Sequence, residues 1–421
     1  MFPRKGYLRY NPGMELLAPA GNLEKLKMAV RFGADAVYCG AGSYSLRVPE
    51  ASLTPDELAE GIAFAHQRGR RVYLALNIFP FDEDFAGMLA YFKQAVDMGI
   101  DAVIVSDPGL FSAVRRHGSG VEIHLSTQAN TTNSESVRFW KEQGVDRVIL
   151  ARELSLERVG AIKRNVPEMK LEVFVHGAMC VAFSGRCLLS SVLTGRSANR
   201  GLCTQPCRWE YRLREVGRKE ELALFEDDRG AYILNSRDLC MIEHIPELAA
   251  AGVDGLKIEG RMKTAYYAAA VTRVYRAALD RYDDPDLKSD FDPRWREELE
   301  KVPHRPYTTG FYFPEAETET ESTVQAGPIR NYDFVGTVDE HLLEEGAIRI
   351  MARNRFKVGD TLEILDPNQF EVVKTRVDRI TDDRTGRNLE QAHNSYVVRV
   401  PLMKKLAYQV SRHAIIRAES V

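Results

Sequence analysis

The stretch KLKMAVRFGADAVYCG, residues 25–40, carries the reading that decides the fold. Its first half, KLKMAVRFG, is an amphipathic helical run that stops on Gly33, and its second half, AVYCG, is a short apolar run rich in β-formers. A glycine closing a helix just before a buried strand is the mark of a βα unit. The phrase recurs as AFAHQRG (63–69) before RVYLALN (71–77), and as FKQAVDMG (92–99) before AVIVS (102–106). Further strand candidates are ELLAPA (15–20), EIHLSTQ (122–128), RVILA (147–151), EVFVHG (172–177), AYILNS (231–236) and GLKIEG (255–260). Continuous apolar strands imply a parallel sheet covered on both faces. This many units over about 250 residues predicts an α/β fold, a TIM-like (β/α)8 barrel. Nine candidates are one too many for the ring, so residues 231–236 or another segment must lie outside it. A doubly wound open sheet is the alternative, although its glycine-rich dinucleotide turn is missing.

Barrel chemistry sits where strands end. The polar residues at those ends are Asn77, Ser126, Gln128, Arg152, Glu153, His176, Asn235, Lys257, Glu259 and Arg261. Asn77, Gln128 and Asn235 are therefore candidate substrate contacts. His176, Lys257 and Glu259 are candidate catalytic groups, with Lys257 and Glu259 two apart on one strand face. If that face is the barrel interior, they pair in the mouth. Arg47 and Arg261 are candidate carboxylate clamps, since guanidinium binds carboxylates bidentately.

The densest chemistry lies at residues 172–209, EVFVHGAMCVAFSGRCLLSSVLTGRSANRGLCTQPCRW. Four of the six cysteines fall here, Cys180, Cys187, Cys203 and Cys207. Thiolates select iron–sulfur clusters, zinc or copper(I). Structural zinc prefers short C-x2-4-C knuckles, which only the second pair fits. A cubane cluster accepts irregular spacing from a loop. Buried inert thiols are the plain alternative. Cys39, inside AVYCG, reads as core, and Cys240 is the other candidate fourth ligand. The insert, 178–230, leaves from the end of the seventh strand, so a cluster there would overhang the mouth. It also holds Arg196, Arg200, Arg208 and Trp209, a mix suited to phosphates and unpaired bases, or simply a solvated loop paired with nearby glutamates.

With 421 residues and 44% apolar content, a large domain plus a smaller one is expected. Residues 1–13 read as an extension or an upstream start before Met14, 14–312 as the barrel domain and 313–330 as a Glu/Thr-rich linker. Residues 331–421 show short β-rich runs at regular intervals, a small all-β barrel domain without a catalytic motif. No secretory signal or membrane-spanning apolar run is legible, which predicts a cytoplasmic protein with no membrane partner. The net charge of −3 excludes a general polyanion binder, so RNA contact needs a local patch.

The residues Glu172, Phe174, Gly177, Ala178, Met179, Cys180, Gly185, Cys187, Leu189 and Ser190 resemble the signature of the peptidase U32 family. YSLRV (44–48), SDPGL (106–110), CRWEY (207–211), NSRDL (235–239) and KIEGR (257–261) resemble the branch of that family that hydroxylates tRNA. The resemblance implies a 4Fe-4S iron–sulfur cluster on Cys180, Cys187, Cys203 and Cys207. It also implies oxygen-independent, prephenate-dependent conversion of the wobble uridine, in the tRNA anticodon loop, to 5-hydroxyuridine. Prephenate has two carboxylates, which suits a mouth holding Arg47, Lys257 and Arg261. Other branches imply a ribosomal RNA base or a quinone precursor as substrate. The family label keeps a peptidase or collagenase open, although neither an H-E-x-x-H helix nor a G-x-S-x-G elbow is present. A non-catalytic RNA-binding factor is the third class.

Overall fold

The computed structural model describes residues 13–40, 42–45, 52–118, 120–179, 187, 189–206, 226–227, 230–231, 237–284, 291–313, 329–403, 406 and 408–420. Six βα units come first: β1 (Glu15–Ala20) and α1 (Leu23–Arg31), β2 (Ala36–Gly40) and α2 (Pro55–His66), β3 (Arg71–Leu76) and α3 (Asp82–Asp97), β4 (Ala102–Val105) and α4 (Pro108–Arg116), β5 (Glu122–Leu125) and α5 (Ser134–Glu142), β6 (Arg147–Ile149) and α6 (Leu156–Asn165). After β7 (Lys170–Ala178) come a short helix α7 (Leu189–Thr194) and the two-residue strands β8 (Glu226–Asp227) and β9 (Gly230–Ala231). Then follow β10 (Asp238–Cys240), α8 (Ile245–Ala250), β11 (Gly255–Ile258), α9 (Ala265–Asp283), α10 (Pro293–Glu300) and β12 (Tyr307–Thr308).

Strands β1 to β7 pair in parallel in chain order, and β11 pairs in parallel with both β7 and β1. The ring of eight is therefore closed. The ninth sequence candidate falls outside it: Ala231 belongs to β9, which pairs only with β8, and residues 232–236 lie outside the described residues. Instead β10 lies antiparallel on the end of β7 and carries β12 on its other side.

Local chemistry explains the units. Every residue of β1 and of β2 is buried, and each large apolar side chain so placed is worth about 1.5–3 kcal/mol. Helix α2 starts on a Thr54–Glu57 capping box with Pro55 in its first turn. Helix α1 ends at Phe32, and Gly33 follows at φ +104°. A Cβ at Gly33 would stand 2.5 Å from the Arg276 side chain on α9, so the turn also lets α9 lie close.

The lower barrel interior is charged. Arg147 donates to Glu15 and, at 2.9 Å, to Glu172, while Lys257 donates to the other Glu172 oxygen at 2.8 Å. The Tyr73 hydroxyl donates to Glu15 at 3.0 Å. Strands β1, β3 and β6 are not neighbours, so these groups meet across the interior. All are buried.

The C-terminal domain is an eight-stranded antiparallel half-barrel that includes β13 (Tyr332–Leu342), β14 (Ala347–Ala352) and the last strand, Ile415–Glu419. Its core comes from alternate residues such as Ile348 and Ile350, Leu362 and Ile364, Val398 and Val400. It is bolted to the barrel domain by Arg417, fully buried, which reaches Glu298 of α10 at 2.7 Å, Glu363 at 2.7 Å and the Tyr266 hydroxyl of α9 at 3.2 Å.

Candidate functional site

The described residues at the strand ends form a polar mouth. Asn77, after β3, donates to the Ser126 hydroxyl after β5 at 3.1 Å, and the Ser106 hydroxyl donates to the Asn77 carbonyl at 3.2 Å. Gln128 follows half-buried on a short turn whose N–H is capped by Ser126. These bonds tie three successive loops together.

Lys257 and Glu259 do share the barrel side, but they do not pair with each other. Lys257 binds Glu172 below, and its ammonium stands 4.2 Å from the centre of the Tyr38 ring. Glu259 faces Arg152 at 3.7 Å and the Tyr38 hydroxyl at 3.4 Å. The Arg152 guanidinium stacks 3.8 Å over Phe174, and that of Arg261, also buried, lies 5.8 Å from Tyr38. Burial lowers the Lys257 pKa, and the Glu172 charge opposes that shift. Burial works against ionised Glu172, yet the Lys257 and Arg147 charges win and hold its pKa down at about 2. The mouth thus joins two guanidinium groups, one carboxylate and an aromatic floor, above a buried ammonium. Such a set can hold an anionic, partly flat molecule. Sequence reading marked Arg152 only as a strand-end residue and took Tyr38 as core. Their roles depend on closure of the ring.

His176 turns away from this mouth. Phe174 pairs with Lys257 and His176 with Ile258, so Val175 is an extra residue, a β-bulge that breaks the strand alternation. The His176 ring therefore packs against Tyr275 and Tyr267 of α9 and against Tyr307 of β12, with centroids 5.6, 6.0 and 5.4 Å away. Burial, then the neighbouring charges of Lys263, His304 and Arg296, push its pKa down to about 3. A neutral imidazole in this place is a poor proton donor at neutral pH. Cys240, its cross-strand partner on β10, is buried too.

The cysteine insert is held at the mouth by its described parts. The Phe79 N–H, past the end of β3, donates to the Asn199 carbonyl at 3.0 Å. Arg200 donates to the Phe79 carbonyl at 3.2 Å and to both Asp84 oxygens at 2.9 and 3.3 Å, and it stacks 4.1 Å from Phe81. Arg200, read from sequence as an RNA contact, is thus occupied as an anchor. Arg196 is exposed. Asn199 also donates to the Cys187 carbonyl at 3.1 Å, while the Ser190 hydroxyl meets the Thr204 hydroxyl at 3.0 Å and accepts its N–H at 3.1 Å. The segments bearing Cys187 and Cys203 are therefore stitched together. Cys187 is half-buried, Cys203 is exposed, and neither is in a disulfide. Two thiols on adjoining loops, reachable from outside, fit half of a four-thiolate donor set. Cys180, Cys207, Arg47, Asn235, Arg208 and Trp209 lie outside the described residues. Among the described residues no group of three His, Cys, Asp or Glu side chains is placed to hold a metal ion.

Two family models match the chain: peptidase family U32 over residues 21–322, and the peptidase family U32 C-terminal domain over residues 330–417. The tRNA hydroxylation protein P1 of Bacillus subtilis (strain 168) is 40% identical, covering 93% of this chain and 92% of that protein. A 23S rRNA 5-hydroxycytidine synthase of Escherichia coli (strain K12) is 35% identical over 63% of this chain and 39% of its own length. A collagenase of Porphyromonas gingivalis (strain ATCC BAA-308 / W83) is 30% identical over 93% of this chain and 95% of its own.

Proposed function

The chain belongs to peptidase family U32, and from that premise we propose that it is an RNA-modifying enzyme that hydroxylates a tRNA base. The observation that carries this reading is the end-to-end match to a tRNA hydroxylation protein, which spans barrel, insert and C-terminal domain alike. In its finer form the proposal names the wobble uridine, converted to 5-hydroxyuridine without molecular oxygen and with prephenate as the small-molecule substrate. The two guanidinium groups at the mouth, Arg152 and Arg261, support a dicarboxylate there. An anticodon loop already presents unpaired bases, so no duplex has to be opened.

Cys180, Cys187, Cys203 and Cys207 would hold a 4Fe-4S cluster. When bound, it supplies electron transfer or Lewis-acid chemistry beside the mouth. The chain's own residues orient the substrate: Asn77 and Ser126 brace the loops, Arg152 and Glu259 line the rim, and the Lys257 ammonium adds positive charge beneath.

Nucleoside mass spectrometry of tRNA from a strain lacking every copy of the gene tests the reading. The 5-hydroxyuridine derivatives should disappear and return with the wild-type gene. Their persistence overturns the proposal. The collagenase-named relative favours a second reading, peptidase activity. Gelatin hydrolysis by the purified protein, undiminished after iron removal, would establish it.

A further inference from the structure

Away from the mouth, cations from both domains converge on one ring. The Arg68 guanidinium lies 3.7 Å from the Phe64 ring centre, that of Arg31 lies 4.8 Å away, and the Lys27 ammonium 5.7 Å. From the C-terminal domain, Arg412 and His413 join them: Arg31 feels the like charges of Arg68 and Arg412, and His413 those of Arg31, Arg412 and Lys27. Lys27 pairs with Glu60 and Arg412 with Asp339. Among the described residues, Arg31 and Arg68 make no ion pair with Asp or Glu. Helix C-terminal carbonyls favour one cation each at the ends of α1 and α2. They do not account for a gathering that spans two domains. Folding has placed like charges together, and burial followed by the two neighbouring arginines pulls Arg31 down to about 10. An anion laid across the ring would relieve that repulsion.

We propose that this two-domain surface docks the phosphodiester backbone of the RNA substrate, outside the segment that enters the mouth. The proposal rests on the RNA reading above and adds where the body of the RNA lies. In a (β/α)8 barrel the helices run back from the strand ends, so the C-terminal ends of α1 and α2 lie at the end opposite the mouth. An isolated anticodon stem–loop bound at the mouth would fall short of it, whereas whole tRNA has phosphates to spare. Arginines, one aromatic face and a net negative chain elsewhere fit a local backbone clamp better than general polyanion binding.

The test is fluorescence anisotropy of the full-length holoprotein with labelled whole tRNA and with a labelled anticodon stem–loop, across a potassium chloride series. Arg68→Glu combined with Arg412→Glu should weaken whole-tRNA binding by about tenfold or more. It should also lower the slope of log K against log salt by about 1–2, while stem–loop binding and thermal unfolding stay unchanged. The charge-neutral pair Arg68→Gln with Arg412→Gln should show a smaller loss of the same kind, which guards against misfolding of the reversed variant. Unchanged affinity and slope in a variant that melts like wild type overturn the proposal. So does wild-type binding to the stem–loop as tight as to whole tRNA, or equal displacement of the tRNA by poly-glutamate, which would assign the patch to acidic protein. Salt-dependent docking without any hydroxylated nucleoside would sink the proposed activity and leave the docking surface standing.

Discussion

The lower barrel interior and the mouth above it use the same residue types to opposite ends. Below, Arg147 and Lys257 close on Glu15 and Glu172 at hydrogen-bond distance, with Tyr73 completing the set. Above, Arg152 and Glu259 approach only to 3.7 Å, and both retain some exposure. Charges sealed from water must be paired at close range, because an unpaired one costs several kcal/mol. Charges at a rim keep part of their hydration and can exchange it for a ligand. The difference separates residues that hold the barrel from residues able to bind.

The strongest way to break that division is at the insert. Cys187→Ser or Cys203→Ser should strip iron from the protein and abolish tRNA hydroxylation, with little change in thermal stability; iron analysis and nucleoside mass spectrometry read both. Retained iron in both variants would end the cluster assignment. Next in size is Glu172→Ala, which leaves Arg147 and Lys257 facing each other in a buried space. It should cost about 3–5 kcal/mol in a denaturant titration, far more than Glu259→Ala at the rim. Equal costs would erase the distinction between the two levels.

Arg152→Met should then separate binding from folding. It should raise the KM for the dicarboxylate about 10-fold to 100-fold, the loss of one charged hydrogen-bonding group of about 1.5–3 kcal/mol, while the melting temperature barely moves. A changed kcat with unchanged KM would remove Arg152 from the binding set.

The smallest effect is in acid. His124 and His176 are held neutral by burial, at about 4 and about 3, against 6.5 when unfolded. The unfolded chain therefore takes up more protons below pH about 6.5, and stability falls as pH drops through that window. Glu172, at about 2 against 4.5 unfolded, adds a further loss between those two values. Melting temperature should decline from pH 7 to pH 5, and His176→Phe should flatten the slope. An unaltered slope would mean that His176 is not the buried neutral group described.

How far the sequence could be read differs from residue to residue. Gly33 after KLKMAVRFG announced a βα unit because a helix terminus is a local event, encoded within a few residues. The eight-stranded ring, the β-rich C-terminal domain and the polar strand ends follow from the same local periodicities. His176 was misplaced because one bulge residue, Val175, reverses the face of everything after it, and the bulge arises only when β7 meets β11. Likewise Lys257 chose Glu172 over its near neighbour Glu259, and Arg200 took Asp84 in place of solvent. Those choices join residues 85 and 116 positions apart. Element type and order were thus legible in the chain itself, since they depend on neighbours in sequence. The pairing of charges, and with it the line between scaffold and mouth, was settled only when the barrel closed and water was excluded from one side of it.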